Sequence, residues 1–310
     1  MPIVLDLILP LFGVVLAGFA AAKTRLFGEA MNQGLSRFVF GFAIPLALFR
    51  ALARAELPAE VPWDFLLSYF GGALFVCLVA ALVARLLFGA KGDAQAIIGM
   101  GASYSNNVLL GVPLVLLAFG DQASLPLFLI IAAHALTFFS GISIWIEAAR
   151  AGAVRLDRLP QMLLSASLQN PVMIGLMAGL AWNLVGLPLW KPLDDFVRLI
   201  GSAGVPCALF ALGASLAGYG LRGSLGQTAL MVTLKLIAFP AVFWLLAVPV
   251  FALPPLYVQV GVLLAALPTG INAYVFAARY QVAEAPMAGA IFLSTALSFV
   301  TLSLLLGWIS

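Results

Sequence analysis

Apolar stretches long enough to cross the hydrocarbon of a bilayer follow one another along the whole chain, broken only by short segments that carry the charges. A spanning helix needs about 20 such residues. In lipid every backbone N–H and C=O has to be satisfied internally, so only helices or closed barrels can cross. Barrel strands are short and alternate in character, whereas these runs are long, continuous and rich in Leu, Ala, Val and Phe. Composition agrees: 64% of the 310 residues are hydrophobic and 9% charged, against about 25% charged in soluble domains. The fold class is an all-α polytopic membrane protein. The first fifteen residues are apolar without a basic segment before them, so they read as a first span and not as a cleaved leader. Cys77 and Cys207 fall inside spans and imply no disulfide. The net charge of +3 comes with no dense basic patch, so nucleic acid is not an expected partner.

Breaks at charged or Pro/Gly-rich points give ten candidate spans: 3–22, 34–53, 63–88, 94–119, 124–148, 161–185, 194–218, 225–251, 256–280 and 286–309. The basic segment 151–160 divides them into two sets of five, 1–150 and 161–310. Ten Lys and Arg lie in loops after odd-numbered spans (Lys23, Arg25, Arg37, Arg85, Lys91, Arg150, Arg155, Arg158, Arg222, Arg279), and four lie on the other side (Arg50, Arg54, Lys191, Arg198). The excess marks the cytoplasmic side, which places both termini outside an inner membrane. Trp63, Trp145, Trp190 and Trp308 near span ends fit an aromatic belt, and Glu147 and Arg150 read as interfacial anchors.

A shift of 161 residues superposes five spans on five. Pro10 meets Pro171, Ala17-Gly18 meets Ala178-Gly179, Ile44-Pro45 meets Val205-Pro206, and Ala135–Phe138 meets Ala296–Phe299. Units with an odd number of spans insert with opposite topology. The expectation is two inverted five-helix repeats, with the substrate near the midplane between discontinuous helices.

The fourth and ninth spans are where such discontinuity is written. One reads Gly99-Met100-Gly101-Ala102-Ser103-Tyr104-Ser105-Asn106-Asn107 and continues to Gly111 and Pro113; the other reads Leu267-Pro268-Thr269-Gly270-Ile271-Asn272. Proline removes a backbone donor and glycine loosens the helix. Ser105, Asn106, Asn107, Thr269 and Asn272 can satisfy the freed backbone or face a polar ligand, and half-helix N-termini favour an anion. The bland alternative is a pair of proline kinks with asparagines joining helices. The stretch SNNVLLGVPLVLLAFG resembles the fourth helix of the auxin efflux carrier family, and ALPTGINAYVFAARYQV resembles the ninth, with ten spans and a short central loop around them. The resemblance implies inverted repeats forming a scaffold and a transport domain, similar to the bile-acid symporter and sodium/proton antiporter fold. It implies that broken helices four and nine cross, with Asn106 and Pro113 in one motif, Pro268 and Asn272 in the other, and Gly111 and Gly270 beside them. It also implies carboxylates or auxin-like acids as cargo, an elevator-like movement, and a homodimer.

Three further groups stand out. Lys235 lies mid-span, where a charge needs a partner. It can meet the substrate carboxylate, stand in for a coupling cation, or bond carbonyls freed in the ninth span. His134, the single histidine, suits proton coupling or a buried hydrogen bond. No carboxylate lies at a comparable depth; Asp6, about one or two turns into its span, is the nearest candidate. Gln169, Asn170, Tyr104 and Tyr274 are further candidates for the cavity wall.

These features describe a secondary transporter of a small organic anion, with a proton or sodium as coupling ion and with no cofactor, metal or enzymatic activity expected. A cation/proton antiporter of the same fold would want intramembrane aspartates, and a channel would want rings of charge or carbonyls. An enzyme would want a cluster of catalytic groups.

Overall fold

The computed structural model describes residues 2–54, 61–151, 171–219 and 223–309. Nearly all of the linker, the start of the sixth span with Gln169 and Asn170, Arg155, Arg158, Arg222 and the side chain of Asp6 lie outside what is described. Every regular element among the described residues is helical. The first half contains α1 (Pro2–Lys23), α2 (Glu29–Phe38), α3 (Ile44–Ala53), α4 (Trp63–Phe88), α5 (Gly92–Ser103), α6 (Val112–Phe119) and α7 (Ser124–Ala151). The second contains α8 (Pro171–Val185), α9 (Lys191–Ser202), α10 (Gly204–Leu216), α11 (Leu225–Thr233), α12 (Phe239–Leu245), α13 (Pro255–Ala266), α14 (Asn272–Tyr280) and α15 (Glu284–Ile309).

Among the described residues six helical stretches are long and apolar enough to cross a membrane: Glu29–Ala53, Trp63–Phe88, Asn107–Arg150, Lys191–Leu216, Leu225–Val250 and Glu284–Trp308. Leu9–Lys23, Pro171–Val185 and Pro255–Ala266 are shorter apolar helices. This is the build of a multi-pass membrane protein.

Proline sets much of the internal geometry. Val39–Ala43, Asn107–Gly111 and Leu234–Ala238 are wide turns bonded i to i−5, and each runs directly into a helix with proline in its first two positions: Pro45, Pro113 and Pro240. A proline ring clashes with the carbonyl four residues earlier and has no N–H to offer it. Widening the turn makes room for the ring without ending the span.

The helices pack as two groups. In the first, α1 runs along α10, α3 along α8, and α9 lies across α3. These pairs close on glycine. A Cβ on Gly179 would stand 2.6 Å from the Phe49 carbonyl oxygen, and one on Gly18 would fall on that of Phe210. Arg50 clamps Asp194 through Nε at 2.6 Å and Nη2 at 3.1 Å, and Asn32 Nδ2 donates to Ser215 Oγ at 2.9 Å. In the second group, α5 packs on α4 and α7, α11 on α15 and α5, and α12 on α13 and α4. Arg150, expected as an interfacial anchor, ties three elements there: it donates to Asp93 Oδ2 at 2.9 Å and to the Tyr280 carbonyl at 2.7 Å, with its guanidinium over the Tyr280 ring. Between the groups lie aromatic contacts, Phe12 edge-on to Phe299 at 5.2 Å and Phe19 beside Phe292 at 6.3 Å. Cys77 and Cys207 are free thiols.

Candidate functional site

Two helices of the second group stop inside the protein. Leu267 is extended (φ −59°, ψ 154°) and ends α13, because the ring of Pro268 disfavours helical geometry in the residue before it. Nothing comparable stops α5. Tyr104 leaves the helix at φ −83°, ψ 110°, and Pro113, expected at the interruption, sits instead in the first turn of α6. The first break exists because it pairs with the second. Ser105 and Thr269 form an antiparallel bridge; Asn106 N donates to the Pro268 carbonyl at 3.0 Å and Gly270 N to the Tyr104 carbonyl at 2.9 Å. Each break thereby satisfies backbone groups that the other has freed, at a depth where unpaired ones are costly. The approach is close: a Cβ on Gly270 would lie 2.6 Å from the Tyr104 ring, and one on Gly111 2.8 Å from Leu267.

Beside the paired breaks is a cavity of about 300 Å³. Ser105, Asn106, Asn107, Gly270 and Asn272 line it from the breaks, and His134 lines it from α7. Ser36, Phe40, Met173 and Ser215 face them from the first group. Part of this polar wall is committed. Asn107 Nδ2 donates to Tyr69 Oη at 3.2 Å, Tyr69 Oη donates to Ser105 Oγ at 3.2 Å, and Asn272 Nδ2 donates to Tyr104 Oη at 3.2 Å. The Tyr104 ring lies on His134, centroids 4.4 Å apart. Other atoms remain open: Asn106 Nδ2, Asn107 Oδ1 and both ring nitrogens of His134 are buried without a hydrogen-bond partner. Leaving such a group unpaired costs about 1–3 kcal/mol, a cost native proteins carry where function requires it.

Two residues expected on the wall stand behind it. Thr269 is fully buried; its Oγ1 donates to the Gly101 carbonyl at 2.8 Å and its N–H to Ser294 Oγ at 3.1 Å. Lys235 is also fully buried, in the wide turn between α11 and α12. Its Nζ donates to the Ala265 carbonyl at 2.5 Å and lies 4.8 Å from the centre of the Phe239 ring. Of its three expected uses, the structure shows the bond to a freed carbonyl, at the C-terminal end of α13 where helix carbonyls are unpaired. Gly111 and Pro268 shape the breaks and Pro113 lies beyond the first; none of the three lines the cavity. Tyr274 likewise stands off the cavity, edge-on to Tyr219 at 5.2 Å.

A wider vestibule of about 1220 Å³ adjoins the cavity and shares Ser36 and Ser215 with it. Lys23, Arg25 and Arg37 line it, with Glu29 and Glu284. Sequence reasoning missed Tyr69, Ser36 and Ser215; the available signal was polar groups inside apolar spans, which does not by itself separate wall from core.

The family model for the membrane transport proteins matches residues 3–306. A protein of Rhizobium meliloti named "Putative malonate transporter" is 28% identical over 97% of this chain and 94% of its own length. "Auxin efflux carrier component 8" of Arabidopsis thaliana is 26% identical over 88% of each chain. "Uncharacterized transporter YfdV" of Escherichia coli is 24% identical over 89% of this chain and 88% of its own. With its apolar helices, paired breaks and full-length match, the chain is a membrane transporter and belongs to the membrane transport protein family, that of the auxin efflux carriers.

Proposed function

We propose that this protein is a secondary transporter of a small organic anion of the carboxylate class, holding its cargo at the paired breaks and working by alternating access. The observation that carries the reading is the open amide donor of Asn106 in a cavity between two helix N-termini. Asn107, Val108 and Leu109 open one helical segment, Ile271 caps the other and Asn272 begins it, and all five line the cavity. First-turn amides lack intrahelical partners and carry positive partial charge, which favours an anion. The names of two relatives, a malonate transporter and an auxin carrier, lie in the same chemical class.

The architecture in this reading is ten spans in two inverted repeats. Its support is an exchange symmetry in the packing. The 161-residue offset carries Gly18 to Gly179 and Phe49 to Phe210, and Gly18 packs on Phe210 as Gly179 packs on Phe49. The same offset carries the wide turn Val39–Ala43 onto the α9–α10 junction. Elevator-like movement has its own support: the polar ties named above lie within one group or the other, whereas aromatic faces meet between them. With the Lys- and Arg-rich side cytoplasmic, the vestibule opens inward. An antiporter would want a carboxylate at the breaks, and the described cavity-lining residues include none.

Uptake of radiolabelled carboxylates into proteoliposomes tests the reading. Saturable uptake should fall at least about tenfold in Asn106→Ala and Asn272→Ala at equal reconstitution. Flux that rises linearly with concentration, unchanged by either substitution, would make the protein a channel or remove the site.

A further inference from the structure

The electrostatics of the cavity limit what kind of anion it can hold. Among the described residues that line it there is no Asp, Glu, Lys or Arg. Positive potential comes from the opening turns of the two helical segments after the breaks, about half an elementary charge each. Two C-terminal ends, those of α5 and α13, meet at the same breaks and would cancel it. Carbonyls near both ends accept hydrogen bonds from behind. Lys235 Nζ donates to the Ala265 carbonyl, Thr269 Oγ1 to that of Gly101, and Ser103 Oγ to that of Gly99 at 2.8 Å. What faces the ligand is the partial charge of first-turn N–H groups and the Asn106 amide, with no full counter-charge among the described lining residues.

His134 offers something different. It is 3% exposed, with its ring fixed between Tyr104 at 4.4 Å and Phe138 at 4.8 Å; the Ser105 backbone stands against one ring nitrogen, and neither nitrogen has a well-formed hydrogen bond. The titratable groups around it are Tyr69 from α4, Tyr104 from the first break and Lys235 from the turn between α11 and α12. Lys23, Arg25, Arg37, Glu29 and Glu284 stand in the vestibule. Among the described lining residues no carboxylate stands by to hold the ring as an imidazolium. A neutral imidazole has one bare nitrogen. A protonated carboxyl can donate its O–H to that nitrogen; an ionised one cannot.

We infer that the cavity is matched to a single negative charge, so that a short dicarboxylic acid such as malonate is carried as its hydrogen monoanion, the ionised carboxylate at Asn106 and the protonated carboxyl against His134. The inference rests on the anion-carrier reading and deepens it. The proton travels on the acid, so no separate coupling site for it is needed. A second full charge would enter a buried site without a counter-charge, which is strongly unfavourable.

Calorimetric binding to the full chain in lipid nanodiscs, from about pH 5 to about pH 8, tests this with malonate and with methyl hydrogen malonate, a permanent monoanion across that range. Malonate affinity should fall about tenfold per pH unit above the second ionisation of the acid, since one proton is taken up per molecule bound, while ester affinity stays level. His134→Gln should keep that slope, because glutamine still offers a neutral acceptor. His134→Leu should lower the ratio of malonate to propionate affinity at least about tenfold. Malonate affinity level with pH, an ester that falls in parallel, a slope lost in His134→Gln, or a ratio unmoved in His134→Leu would each overturn the inference while leaving the anion carrier standing. Binding of none of the three acids would overturn both.

Discussion

A buried polar side chain beside a helix break has two possible occupations, and the residues here divide between them. Asn106 leaves its amide to the cavity, whereas Thr269 spends both its hydroxyl and its N–H on the protein. The two should therefore fail differently. Asn106→Ala removes an open donor, so substrate affinity should drop about tenfold or more while the melting temperature holds. Thr269→Val unpairs the Gly101 carbonyl inside the fold and should cost about 1–2 kcal/mol of stability, with near-parental affinity in the fraction that remains folded. Thermal melting beside ligand titration separates these outcomes. From sequence the two residues looked alike, as polar groups in an interrupted apolar span. Which way each points depends on the partner break, 164 residues away for the Ser105–Thr269 bridge, and no local pattern encodes that. Lys235 shows the same limit. Its mid-span position demanded a partner, but that the partner is the Ala265 carbonyl required the packing of α13 against the turn that holds the lysine.

At the scale of elements, the spans were legible because hydrocarbon thickness fixes their length, and the second break was legible because Pro268 is a local cause. The first break was legible as a region, the run from Gly99 to Pro113, but not in its cause: a wide turn absorbs the Pro113 ring, and the chain leaves its helix at Tyr104. The pairing of α1 with α10 and α3 with α8 is likewise a matter of surface fit, written in glycines that sequence aligned without explaining. Gly18→Ala and Gly179→Ala should each force their helix pairs apart and lower stability by about 1–3 kcal/mol. Gly13, on the same α1 but with open space around its Cβ position, should accept alanine without loss. Thermal scans of the three variants in one lipid would show this. If Gly18→Ala melted with the parent, the two helices would be less closely fitted than their contact implies.

The whole molecule poses a mechanical question: which parts move as units. A rigid body needs internal ties that survive motion, and the Arg50–Asp194 clamp, the Asn32–Ser215 bond and the Asn183 amide on the Leu52 carbonyl at 2.9 Å supply them in the first group. The paired breaks, the Arg150 triad and the Thr228 hydroxyl on the Pro286 carbonyl at 3.1 Å supply them in the second. A sliding surface needs the opposite, contacts that exchange without leaving polar groups unpaired, and dispersion between aromatic faces meets that need because it has little directionality. In the proposed elevator-like movement Phe12 and Phe299, where α1 meets α15, would stand on that surface. Both replaced by cysteine in a background without Cys77 and Cys207, and joined by a short bifunctional reagent, they should hold the groups in the present register. Proteoliposome uptake should then fall at least about tenfold and return when a reducible linker is cleaved, whereas ligand binding to the open vestibule side should stay within about threefold of the unlinked protein, because the cavity itself is not deformed. Uptake that survives complete linkage would mean the cargo crosses without relative movement of the groups, and the breaks would have to pass it between fixed walls.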